Sequence, residues 1–133
     1  MKKWTEDELI EAGYKIRNAK ITKADLTIAK PMANDSCLFM FIWIEGDHFG
    51  GEIGGYWLGH GYLGADDESF DSSAKGTESI LRIMDVIGVE KFSQIEGKFI
   101  RIVDEGLDKP ISIFGNIIED KWFDEKSFFA EGE

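Results

Sequence analysis

Three observations predict an α+β, mostly β fold. Cys37–Ile44 (CLFMFIWI) is apolar on both faces of any strand it forms. Gly50–Tyr62 (GGEIGGYWLGHGY) follows it as a glycine-dense, aromatic strand. Thr77–Ile87 carries apolar residues at helical spacing, stops at Gly88, and leads through Gly97 and Lys98 into two further strand-like runs.

Taken in order, the elements are these. Thr5-Glu-Asp-Glu8 is a capping box, with Leu9 and Ile10 after it and Gly13 as a helix stop, so a short N-terminal helix is expected. Tyr14–Ala29 alternates in part (Ile16, Ala19, Ile21, Leu26, Ile28) and reads as a strand bent near Thr22–Ala24. Lys30–Ser36, with Pro31 and Asn34-Asp35, is a turn. In the next strand Leu38, Met40, Ile42 and Ile44 point one way, and Cys37, Phe39, Phe41 and Trp43 the other. Both faces therefore need a cover. A turn at Glu45-Gly-Asp47 leads to Gly50–Tyr62, where glycines permit bulges and close backbone approach.

Leu63–Lys75 reads as a polar loop carrying Asp66, Asp67, Glu68 and Asp71. Thr77 is the expected N-cap of the main helix, whose Ile80, Ile83, Met84 and Ile87 share a face while Arg82 and Asp85 lie on the polar side. Val89, Phe92 and Ile95 predict a short turn packed on the core. Phe99–Val103 and Ile111–Ile118 form a hairpin around Asp104–Pro110. Counted this way, the chain is a small OB-like five-stranded barrel with one main helix between strands 3 and 4 and a short N-terminal helix. Leu38, Met40, Ile42, Ile80, Ile83, Met84, Ile87, Ile100, Ile102 and Ile113 are its expected shared core. Residues 1–133 fit one globular domain, with Trp122 and Phe123 expected to pack and 124–133 after them expected as a mobile acidic tail.

Composition narrows the functional classes. Hydrophobic residues make up 43% of the chain and ten are Phe, which argues against disorder. No apolar run reaches the ~18 residues of a membrane span, and MKKWTEDELIEAG has no apolar signal core, so no membrane association and a cytoplasmic location are expected. The single Cys37 forms no internal disulfide and reads as a small hydrophobe. The net charge of −11 opposes general attraction to phosphate backbones. It is uneven: residues 1–30 hold seven Lys/Arg against five Asp/Glu, and the remainder eight against 21.

Catalysis finds no constellation to stand on. His48 and His60 lack a Ser or Cys at a recommending spacing. The glycine-rich stretch is neither a P-loop nor a dinucleotide fingerprint. The acidic loop lacks the glycine and terminal Glu of an EF-hand, so a solvated loop is expected there and no metal. No catalytic residue and no cofactor are assigned, and the expectation is a non-enzymatic protein.

A resemblance enters at Ile83–Val103 (IMDVIGVEKFSQIEGKFIRIV), which resembles a segment of phage single-stranded-DNA-binding proteins, where a helix ends in a glycine turn and a Gly-Lys step opens a strand. The chain is also similar to uncharacterised phage and mobile-element proteins of gut Firmicutes in Gly54–Ala65 and Phe114–Phe123. The resemblance implies a nucleic-acid-binding barrel. Single-strand binding needs exposed rings for base stacking and a cationic groove. The candidate platform is Phe39, Phe41 and Trp43, with Tyr56 or Trp57 beside them. The candidate phosphate contacts are Lys15, Arg17, Lys20, Lys23, Lys98 and Arg101. The competing reading is that these rings are core and that the protein is an acidic interaction module, its carboxylates mimicking phosphate toward a basic host protein. The leading expectation is a non-enzymatic single-stranded nucleic-acid binder of phage or mobile-element type, with the acidic module as the alternative, so the expected partner is single-stranded nucleic acid or a basic protein, with oligomerisation open. The deciding observation is whether Phe39, Phe41 and Trp43 lie open beside lysines or buried.

Overall fold

A computed structural model describes residues 1–106 and 109–131. The elements are α1 (Glu6–Glu11), β1 (Lys15–Ala29), β2 (Asp35–Gly46), β3 (Phe49–Leu63), β4 (Glu68–Ser72), α2 (Ala74–Ile87), a 3-10 turn (Phe92–Gln94), β5 (Phe99–Asp104), β6 (Ile113–Asn116), β7 (Trp122–Asp124) and α3 (Glu125–Ala130). The strands form one antiparallel sheet in the order β4-β3-β2-β1-β5-β6-β7. This corrects the five-stranded barrel. The sheet has seven strands, and its two outermost members, β4 and β7, are edges rather than partners. α2 touches β3 and also β6 and β7, so it packs across the concave face of the sheet.

β1 joins the two halves. Its residues Lys20–Ala29 pair with β2, while Lys15–Lys20 pair with β5. The register shifts at Thr22, where the strand was expected to bend, and Thr22 Oγ1 donates to the Trp43 carbonyl at 3.2 Å. The bulge keeps Ile21 and Ala24 on the face toward α2, both buried, and turns Lys23 to the opposite face beside Trp43. β3 holds two further bulges, at Leu58 and Gly55. Gly54 and Gly55 have φ of +105° and +84°, which only glycine adopts without strain.

The main core lies between the concave face and α2: Ile21, Met40, Ile42, Ile53, Ile83, Ile95, Ile100, Ile102, Phe114 and Phe123 are each at most 2% exposed. Ile80 and Met84 pack against it. A smaller cluster on the convex face seats α1, with Leu9, Val103, Ile113 and Trp122 buried and Trp4, Tyr14 and Ile16 around them. Ile113 therefore belongs under α1 rather than under α2. The Thr5–Glu8 capping box forms as expected, at 3.0 and 3.2 Å.

Two further expectations are corrected. α2 begins a turn early, at Ala74, because Ser73 rather than Thr77 is the N-cap and accepts from the Gly76 N–H at 2.8 Å. Gly76 lies against the β3 backbone, where a Cβ would overlap the Trp57 carbonyl. The polar loop 63–75 contains β4. Residues 124–131 include α3, which Asp124 caps, and its Phe128 is fully buried against Phe123 at 5.4 Å between ring centroids. The last two residues of that expected tail, 132 and 133, lie outside the described residues.

Candidate interaction surface

Among the described residues, the convex face of β2, β3 and the Lys20–Ala29 stretch of β1 carries no helix, since α1 sits over β5–β7 and the start of β1. Alternation along β2 puts Phe39, Phe41 and Trp43 there, opposite the buried Met40, Ile42 and Ile44. The rings form a ladder, with centroids 6.1 Å apart for Phe39–Phe41 and 5.6 Å for Phe41–Trp43. All three are half-buried. Their partial cover comes from β3 itself. Phe41 pairs with Gly54 and its ring rests against Gly55, where a Cβ would meet it at 3.4 Å. Gly54 and Gly55 thus give the Phe41 ring a bed on β3 that carries no side chain.

The β3 bulges decide which neighbour joins the ladder. Phe39 pairs with Trp57 and Met40 with Tyr56. Trp57 therefore shares the ladder face and Tyr56 does not. Tyr56 is 3% exposed on the concave side, stacked on Phe129 at 5.5 Å, and donates to Glu125 Oε2 at 3.2 Å. Burial, then the Glu125 charge and this hydrogen bond, push the phenol well above its ordinary value, so it stays protonated and donating.

The cations divide sharply. Lys20 and Lys23 lie on the ladder face, Lys23 Nζ being 5.6 Å from the Trp43 ring and Lys20 Nζ 5.9 Å from that of Phe99, a further exposed ring that sequence reasoning did not include. Both are matched by carboxylates: Lys23 pairs with Asp25 at 3.2 Å, and Lys20 stands opposite Glu45 in the register. Lys15 and Arg17 alternate onto the other face. Arg17 bonds Asp104 at 3.1 Å and the Asp47 carbonyl at 3.0 Å, and it lies over the Phe49 ring. Arg101 is 9% exposed, donates to the carbonyls of Asn116 and Glu119, pairs with Glu6 at 3.2 Å and covers the Trp122 ring. It ties α1 and the β6–β7 turn to the sheet. Lys98 is exposed in the turn before β5. Of the ten candidates, the fold brings together Lys20, Lys23, Phe39, Phe41 and Trp43.

Acidity surrounds this face. Residues 31–74, which include all of β2, β3 and β4, contain eight Asp/Glu and no Lys or Arg. Glu52 faces Trp43 across the register. Cys37, His60 and Asp71 are cross-strand partners on the same face, an adjacency that no sequence spacing announces. His60 Nε2 is directed to Asp35 Oδ1 at 3.1 Å. Beside Trp43, a recess of about 720 Å³ runs along the β2–β3 hairpin, lined in part by Thr22, Trp43, Glu45, Phe49 and Glu52.

Among the described residues, no group of three or more His, Cys, Asp or Glu is placed to hold a metal, and no helix is long and apolar enough to cross a membrane. Comparisons with protein-family models, with curated proteins and with solved structures return no match.

Proposed function

We propose that this protein is an acidic, non-enzymatic interaction module that presents an aromatic sheet face, rimmed by carboxylates, to a basic partner protein. The observation that carries this reading is the 44-residue interval without Lys or Arg, residues 31–74, folded into the three strands β2–β4 that hold the ladder. A Lys or Arg side chain of a partner gains twice on such a surface. Its charge meets Glu52, Glu45 or Asp25, and its head can sit over the open side of Trp43 or Phe41. A phosphodiester gains only the stacking, because Lys20 and Lys23 already face carboxylates.

Single-strand nucleic-acid binding is the second reading, favoured by the ladder alone. Its ring spacing of 5.6–6.1 Å suits successive bases splayed over a sheet. One titration separates the two. Trp fluorescence is followed at low salt with oligo-dT and, separately, with a compact basic protein such as lysozyme. The module reading expects saturable quenching by the basic protein, weakened several-fold when salt rises from about 50 to 200 mM and by E52Q with D25N. It expects no response to oligo-dT. Tight oligo-dT binding, weakened in W43A with an unchanged salt slope, would replace it with the nucleic-acid reading.

A further inference from the structure

The four-stranded half of the sheet extends beyond α2. On its concave face the helix covers Met40, Ile42 and Ile53, but farther along the strands the apolar pattern continues without a cover. Leu26 and Ile28 of β1 are 53% and 58% exposed, Leu63 of β3 is 47% exposed, and Phe70 of β4 is 73% exposed. Register places Ile28 beside Leu38, Leu38 beside Gly59, and Gly61 beside Phe70, so these side chains share one face. The glycines leave a trough between Leu38 and Phe70 of about 440 Å³, lined by Ile28, Leu38, Leu58, Leu63 and Phe70. β4 borders the trough and is the outermost strand, its second edge unpaired among the described residues. All five of its residues are exposed.

Edge strands invite another strand, and proteins blunt them with charge. Here the charge is of one sign only. Asp66 and Asp67 precede β4, and Glu68 and Asp71 lie within it. Pairing of β4 with β4 of a second copy would bring both sets of carboxylates together, so the edge rejects itself. A purely protective edge would not also carry an exposed Phe70 bordering an apolar trough. We infer that this edge and trough form a second docking site, which accepts by strand addition an extended segment of a partner whose residues alternate apolar with Lys or Arg.

Strand alternation makes the match specific. Beside β4, one set of incoming side chains falls on the concave face next to Phe70 and can reach into the trough. The other set falls on the convex face next to Asp71. An apolar–basic alternation of period two satisfies both, and a helix-patterned basic segment satisfies neither. The inference rests on the proposed function for the sign of the partner's charge, but it uses a surface separate from the ladder.

The test uses the full chain and two labelled synthetic peptides of identical Lys/Leu composition, one strictly alternating and one with leucines at helical spacing. Fluorescence anisotropy gives affinity, and hydrogen exchange gives the protection of Ser69–Ser72. The alternating peptide is expected to bind and to protect the β4 amides, and the helical one to bind at least tenfold more weakly. F70S and D71K should each weaken the alternating peptide roughly tenfold, with thermal melting confirming that both variants fold. I118A, at an exposed side chain in the β6–β7 turn, should leave it unchanged. Equal binding of the two peptides, or binding without protection of β4, overturns the inference. A dimer of the parent chain that dissociates in F70S also overturns it, because the occupant would then be a second copy. If lysozyme still binds through Trp43 while neither peptide engages β4, the strand-addition site falls and the module reading stands. If no basic probe binds at all, both fall.

Discussion

Replacing Phe128 by alanine tests whether the C-terminal helix is an integral part of the fold. The ring is fully buried and lies 5.4 Å from Phe123 and 5.0 Å from Phe129 between centroids, with Lys75 Nζ 3.9 Å from its own centroid. Burying such a side chain is worth about 1.5–3 kcal/mol. Each well-placed aromatic pair adds about 0.5–1.5 kcal/mol. The sum, about 2.5–6 kcal/mol, brackets the ~3–5 kcal/mol of Phe-to-Ala changes in cores, which is the loss expected here. For a 133-residue chain the unfolding entropy near the midpoint is on the order of 0.28 kcal/mol/K, so Tm should fall by roughly 10–18 °C. Urea unfolding followed by Trp fluorescence measures the loss directly, and I118A, at a side chain that is 85% exposed, serves as the control with a change under about 0.5 kcal/mol. A loss below about 1 kcal/mol for F128A would mean that α3 does not close over Phe123, and the concave core would have to be redrawn.

Further outcomes follow from single contacts. G76A should destabilise the protein by more than about 2 kcal/mol despite the ~1 kcal/mol that alanine gains in a helix, because a Cβ there meets the Trp57 carbonyl; calorimetry of the variant checks it. N116A should cost about 2–3 kcal/mol in urea, since Asn116 Nδ2 donates to the Val86 carbonyl at 2.8 Å while its Oδ1 accepts from the N–H groups of Ile118 and Glu119. Burial raises the Glu125 carboxyl above the ordinary glutamate range, against the opposing Tyr56 hydrogen bond. The native state then holds that proton at pH values where the unfolded chain has lost it. Stability is favoured below this window and falls as pH rises through it, so the parent should lose stability relative to E125Q between mildly acidic and neutral pH. A pH-independent difference between the two would refute this.

The sequence showed most clearly the elements whose burial is periodic. β2 and α2 carry long apolar patterns, and β1 was placed with its irregularity near Thr22. The barrel failed on strands with no such signal. β4 (ESFDS) is exposed throughout and alternates nothing, and β7 spans only Trp122–Asp124 inside a charged segment. Without these two edges, five strands looked like a closed set. The ladder was readable from alternation within β2, but its neighbour was not, because the bulges in β3 turn Trp57 outward and Tyr56 inward. Arg101 looked like any other surface cation in sequence. Its engagement with the Asn116 and Glu119 carbonyls depends on a turn 15 to 18 residues away, which no local pattern encodes.

The lysine-free interval also has a covalent meaning. Trypsin cuts after Lys and Arg but not before Pro, and Lys30 is followed by Pro31, so digestion should leave β2, β3 and β4 on one fragment, Ala24–Lys75. Acetylation, ubiquitin transfer and amine-directed cross-linkers find no side-chain target on those three strands. Any control of this protein by lysine modification must therefore act from outside the interval, where the lysines nearest to it in sequence are Lys30 after β1 and Lys75 on the first turn of α2, while carboxyl-directed reagents would label the acidic half of the sheet.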